Sequence, residues 1–337
     1  MKKKLLFIFC ILFFNNSFSN TISKLVDELK NNNFINYDIK KFYNLLKSNC
    51  SERLIINLKS HASYPDFGTE KSWKNICKEI KDSNKSEKNF ILENFKIKKL
   101  SDSIGLLTGY YEPEIKVSFK RDKFFKFPIL KYNEKYKNIP RNKIENSFHN
   151  EDVLLWTDNK IELFFLQIQG SGIGILPNKK KIKITYGGNN NEKYSSIGKL
   201  LKESELSGKE INLFTIKKFL YENPIKVEKI LNTNKRYIFF QIKNKGPKKK
   251  GPVGSYGVNL VENISMAIDK IYYPLGIPML IKLIDRNLSI PALALDTGSA
   301  IKGVNRADLF TGSGKKAENI AGTLKEKVLL YTLVPSK

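Results

Sequence analysis

ALALDTGSAIKGVNRADLFTGSG, residues 292–314, is the stretch on which the reading of the fold turns. A short apolar run leads into Asp296, a turn of small residues follows, and a second short run carries Asp308. Apolar runs of this length, ended by glycine, read as strands. A carboxylate at the mouth of an apolar strand is costly unless it has a partner, a raised pKa or chemistry to perform. Two of them beside glycine turns read as the rim of an active site.

The same texture continues on both sides of this stretch. RYIFFQIK (236–243), SYGVNLV (255–261), SMAIDKIYYPLGIPMLIKLI (265–284) and KVLLYTLV (327–334) read as β-structure. So do IGLLTGYYEPEIKVSF (104–119), FKFPILKY (125–132), VLLWTD (153–158), IELFFLQIQGSGIGIL (161–176) and KIKITYGG (181–188). Many short strands with glycine turns suggest a compact barrel. Between these blocks SSIGKLLKESEL, TIKKFLYEN and NPIKVEKILN carry the helical period, with Asn223-Pro224 as an N-cap and first-turn pair. Residues 20–100 are helical by the same criterion, in ISKLVDELK, DIKKFYNLLKSN, WKNICKEIK and SEKNFILENF. The fold class is therefore mainly β with N-terminal helices, and no internal repeat is visible.

The chain of 337 residues is 41% hydrophobic, enough for a packed core in one large domain or two ordinary ones. Residues 1–19, from MKKKLLFIFCILFF onward, order a positive segment, an apolar segment and a small-x-small site as a secretory signal does. Ten apolar residues are too few to span a bilayer core of about 30 Å. The mature chain is thus expected to be exported, soluble and to begin near Asn20. Cys10 follows the bulky Phe9, which does not suit lipoprotein cleavage. The net charge of +26 makes nucleic acid the reflex partner. Export argues against it, and so does the spread of lysines along the whole chain. GPKKKGP (246–252) reads as a solvated loop, and an anionic wall polymer or anionic lipid is the better attractor. Cys50 and Cys77 remain after cleavage, and an oxidising compartment favours a disulfide worth roughly 3 kcal/mol. With only His61 and His149 present, no zinc site is expected.

Several motifs mislead when read alone. ALALDTGSA is like the turn of an aspartic protease, but that chemistry needs two such turns and this chain has one unless it dimerises. Gly170, Gly172 and Gly174 could pass for a phosphate loop, yet no helical pattern opens after them. A tight turn allowing a ligand close to the backbone fits better. Tyr110, Tyr111, Glu112 and Glu114 surround Pro113, and Thr108, Gln169, Ser171, Asn189 and Asn190 lie near glycine turns. Together they suggest a polar groove for a neutral, hydroxyl-rich ligand.

In these residues the chain resembles the membrane-bound lytic murein transglycosylase A family. SMAIDKIYYPLGIPMLI and ALALDTGSAIKGVNRADLF match its C-terminal three-aspartate domain, with Asp269, Asp296 and Asp308 on the three aspartates. LLTGYYEPEI, FFLQIQGSG, ITYGGNNNEKYSSIGKLL, NTNKRYIFFQ and GPVGSYGVNLV match the family's other blocks in order. The likeness is strong over about 104–335 and looser in the helical part, the spaced cysteines included.

The resemblance implies a double-psi β-barrel domain of residues 20–112 and 241–337, with a second β-barrel domain inserted at 113–240 and the glycan held between them. It implies non-hydrolytic cleavage of peptidoglycan at the β-1,4 bond between N-acetylmuramic acid and N-acetylglucosamine, leaving a 1,6-anhydromuramyl end. Asp308 would be the single acid/base, Asp296 its helper and Asp269 structural. Thr108, Tyr111, Glu112, Gln169, Gly170, Ser171, Gly172, Tyr186, Asn189 and Ser196 would line the glycan groove, while Lys302 is open between a substrate contact and a solvated turn. The expected partners are glycan strands and other cell-wall enzymes. The chain is expected to be a periplasmic monomer associated with the outer membrane, with no nucleic acid, cofactor or metal. The family's lipid-modified N-terminal cysteine has no convincing counterpart. The alternative from another class is a wall-binding module that grips glycan without cutting it.

Overall fold

The structure, a computed structural model, describes residues 39–243, 251–286 and 288–337. The leader, the ISKLVDELK segment and nearly all of the lysine loop lie outside the described residues. No helix among the described residues is long and apolar enough to cross a membrane.

The chain divides into two compact units. The first takes in the described residues up to Thr108, then Gly254–Phe310 and Lys325–Lys337. The second comprises Gly109–Val253 and Thr311–Leu324.

The first unit opens with four helices: α1 (Ile39–Asn49), α2 (Glu52–Ser60), α3 (Glu70–Asp82) and α4 (Glu87–Asn94). Their apolar residues recur at helical spacing, so each buries one stripe: Phe42, Tyr43 and Leu46 on α1, Trp73, Ile76 and Ile80 on α3. Thr69 and Ser86 accept N–H bonds that start α3 and α4. A disulfide joins Cys50, just beyond α1, to Cys77 of α3.

The strands of this unit are β1 (Phe95–Lys99), β2 (Gly105–Glu112), and, after the second unit's β3–β8, β9 (Ser265–Ile268), β10 (Pro278–Leu283), β11 (Leu288–Asp296), β12 (Arg306–Ser313) and β13 (Lys325–Pro335). Their order is β1-β13-β10-β11-β9-β12-β2, and β2 pairs back onto β13. Six strands therefore close into a barrel, the architecture expected of a double-psi barrel, with β1 added at the far end of β13. β9 and β11 run parallel. β11 is buried at every residue but Asp296, with α1 packed against it. That explains why LSIPALAL shows no polar alternation. β2 and β12 start in this unit and continue into the second.

The second unit holds β3 (Glu114–Ser118), β4 (Phe127–Leu130), β5 (Val153–Thr157), β6 (Gly172–Ile175), β7 (Lys181–Asn189) and β8 (Ile238–Lys243) in the order β4-β5-β3-β6-β7-β8. A parallel bridge from Lys131 to Phe240 joins its two ends. Ile115, Val117, Ile129, Leu155, Ile184 and Phe240 fill it. Helices α5 (Arg141–Ser147), α6 (Lys160–Gln169), α7 (Ile197–Glu203), α8 (Leu213–Glu222), α9 (Pro224–Leu231) and α10 (Gly314–Thr323) complete the unit.

Three sequence expectations are corrected. IELFFLQIQ is helix α6, not strand. Asn159 accepts the N–H groups of Ile161 and Glu162, and Gly170 closes the C-terminus at φ 78°. Six of its side chains are buried, Phe164 and Phe165 among them, which hid the period. SYGVNLV forms turns. Pro224 does open α9, but the Asn223 side chain makes no cap bond to it and instead donates to Phe219 O. Residues 311–324 group with the second unit, where Ala317 and Ala321 of α10 pack against Tyr111 and Leu213.

Candidate active site

The barrel register places the first two carboxylates. Asp296 on β11 and Asp308 on β12 both pair with Ala267 of β9, one from each side. Residues directly opposed in a sheet share a face, so the two side chains rise from one face, with backbones roughly 10 Å apart across two strand spacings. The third aspartate, Asp269, lies immediately beyond β9 and is 3% exposed. Its Oδ1 accepts the N–H of Ile271 at 3.2 Å and its Oδ2 that of Gly303 at 3.0 Å. It thereby ties down the turn that feeds β12. Exposed Lys302 reaches it at 3.8 Å.

Asp308 is half-buried. The Thr108 hydroxyl of β2 donates to its Oδ1 at 2.5 Å, and the same hydroxyl accepts from Arg306 Nη2 at 2.8 Å. Arg306 stands two residues before Asp308, hence on the same strand face. Its Nη1 also donates to Leu106 O at 3.3 Å. Burial raises the Asp308 pKa from 3.8 to about 6, against the pull of the Arg306 guanidinium and the Thr108 hydrogen bond, with the Asp296 charge adding to the rise. The acid thus titrates where it can both give and take a proton near neutral pH. Asp296 is held differently: its Oδ1 accepts the N–H and the hydroxyl of Ser255 and the N–H of Thr297, all at 2.9 Å.

β2 can approach β12 this closely because Gly105 has no side chain. A Cβ there would stand 1.8 Å from the carbonyl oxygen of Asn305. That oxygen accepts the N–H of Leu106 at 2.9 Å.

The other residues singled out from sequence lie in the second unit and fall into two groups. Tyr111 and Glu112 are 3% and 1% exposed. Tyr111 Oη donates to Glu318 Oε1 at 3.1 Å, and burial with the Glu318 charge pushes its pKa far up. Glu112 takes Lys183 Nζ at 2.9 Å and the Ser313 hydroxyl at 2.8 Å. Gln169 Oε1 accepts the Tyr111 N–H at 3.0 Å. Gly172 is small because a Cβ would meet Leu166 and the Pro113 carbonyl, and Ser196 caps α7 through Lys199 N. Asn190 is fully buried and binds backbone carbonyls of Ile139 and Lys235. Accessible groups are found at Gln169, Gly170, Ser171, Tyr186, Asn189 and Ser196, and Asn189 Nδ2 donates to Tyr186 Oη at 2.6 Å.

Sequence reasoning missed Arg306 and Ser255. Arg306 was legible from the two-residue strand period beside Asp308. Ser255 sits in a turn 41 residues from Asp296, and no local pattern points to it.

A half-buried carboxylic acid on a closed barrel, flanked by a hydroxyl and a second carboxylate, defines a protein of the three-aspartate barrel class. Comparison with known proteins agrees. Residues 264–334 match the 3D domain and residues 130–241 the MltA specific insert domain. The chain is 35% identical, over 64% of its length, to the membrane-bound lytic murein transglycosylase A homolog of Buchnera aphidicola subsp. Schizaphis graminum. It spans 62% of the length of the curated relatives it matches. Among solved structures, the membrane-bound lytic murein transglycosylase of Agrobacterium tumefaciens superposes with a TM-score of 0.73 at 26% identity, covering 89% of this chain and 93% of that one. The lytic transglycosylase LtgG of Burkholderia pseudomallei is 31% identical, covering 87% and 91%, with a TM-score of 0.53. The chain belongs to the membrane-bound lytic murein transglycosylase A family.

Proposed function

We propose that this protein cuts peptidoglycan glycan strands without water, at the β-1,4 bond between N-acetylmuramic acid and N-acetylglucosamine. Asp308 in its protonated form gives its proton to the bridging oxygen. The C1–O bond breaks as positive charge builds on the muramyl ring, and Asp296 supplies compensating negative charge. The muramyl O6 hydroxyl then attacks C1, and the Asp308 carboxylate takes the O6 proton. The acid is regenerated and a 1,6-anhydro ring closes. No second carboxylate has to hold a water, unlike in the usual two-carboxylate glycosidases. Intramolecular attack gains from proximity. Thr108 and Arg306 position the acid.

The observation that carries this reading is the half-buried Asp308 with its pKa near 6 beside Thr108 and Arg306. The relatives' names, lytic transglycosylases of murein, support the substrate class. We infer that it acts in the bacterial envelope, as a monomer on glycan, a reading that the relatives' names support. The test is incubation with purified peptidoglycan and mass spectrometry of the released fragments. Anhydromuramyl ends are expected, and reducing ends would instead make the protein a hydrolase. Asp308→Asn should abolish release while circular dichroism stays unchanged. A variant that still cuts removes Asp308 from the mechanism, and binding without release by the parent chain would leave only a wall-binding module.

A further inference from the structure

We propose that the tip between β3 and β4, residues 118–126, is an interfacial anchor that seats on an anionic lipid surface. Phe119 and Phe124 are 60% and 62% exposed, in a unit whose other phenylalanines are buried or half-buried. Lys120, Arg121, Lys123 and Lys126 stand exposed around them. The tip is built to hold this display. The Ser118 hydroxyl accepts the N–H of Lys120 at 3.0 Å, and Asp122 Oδ1 accepts the N–H groups of Phe124 and Phe125, both at 2.7 Å. The Asp122 N–H closes the turn on Phe125 O at 3.2 Å. The one carboxylate of the tip is therefore engaged by backbone, and four cations face outward.

A phenyl ring carries no polar atom, so two of them held in water expose apolar surface with no compensating hydrogen bond. At a membrane boundary the rings enter the acyl edge while the cations lie level with lipid phosphates. Lys123 Nζ already lies 5.1 Å from the Phe124 ring centroid, and Arg121 lies 5.3 Å from that of Trp156, so charge and ring come as one unit. Platforms that grip nucleic acid or other polyanionic chains instead space their rings along a track for the backbone. Here both rings share one turn.

The full chain should be sedimented with phosphatidylglycerol/phosphatidylcholine vesicles at roughly 0.5 M NaCl, where the long-range pull of its net positive charge is screened. Phe119→Ser with Phe124→Ser should weaken partition about tenfold, the loss expected for two partly inserted rings. The emission of a Phe124→Trp variant should shift to the blue with these vesicles. Equal partition of parent and double variant overturns the proposal, as does unshifted emission. If the double variant instead loses binding to purified sacculi or to an oligonucleotide with vesicle partition intact, the tip belongs to a polymer and the lipid assignment falls.

Discussion

Asp308 stands under opposed influences. Burial drives it towards the neutral acid, while Thr108 and Arg306 favour the carboxylate. Its folded pKa of about 6 exceeds 3.8, so folding takes up a proton there. The stabilising contribution is whole below about pH 4 and gone once the pH has passed about 6. At higher pH the ionised group then sits in the fold at a cost of up to about 3 kcal/mol. Asp308→Asn should accordingly raise the melting temperature at pH 8 and leave it nearly unchanged at pH 4. A fall at pH 8 would contradict the assigned pKa. Thr108→Val removes a donor that favours the charged form. In the proposed mechanism the alkaline limb of kcat/KM follows loss of the Asp308 proton, so this limb should move to higher pH, with the maximal rate about tenfold lower. A limb that stays in place or moves down would show that the hydroxyl does not tune the acid.

At the scale of elements, the strand carrying Asp308 was readable and much around it was not. ALALD and ADLFTG announced β11 and β12 because short apolar runs between glycines have few other uses. Helix α6 escaped because it is buried on several sides, leaving only its ends, Asn159 and Gly170, as signals. Helix α10 escaped because GKKAENIAGT is short and mostly small or polar. The partners of Tyr111 and Glu112, namely Glu318, Lys183 and Ser313, lie far off in sequence, where no spacing rule reaches. Gly105 tests how far the site depends on close strand approach. Gly105→Ala forces a methyl into the Asn305 carbonyl, so β2 must shift and carry Thr108 with it. A loss of about 2–4 kcal/mol in urea unfolding, together with most activity, is the expected result. A fully stable, active variant would mean that the two strands have room to separate.

Across the whole molecule, the path of the chain matters more than the content of either unit. The second unit interrupts the first twice, and β13 pairs with β1, β10 and β2. Deleting residues 325–337 should therefore remove one partner from three strands at once. Near-UV circular dichroism and limited proteolysis should report a first unit without fixed packing. Protease resistance equal to that of the full chain would show that the barrel closes without β13. Pairings such as Thr108 with Lys325 are also the kind that form slowly, since a long stretch must be drawn in before they repay its lost freedom. During synthesis the first unit accordingly cannot close its barrel until its last strand, β13, has left the ribosome.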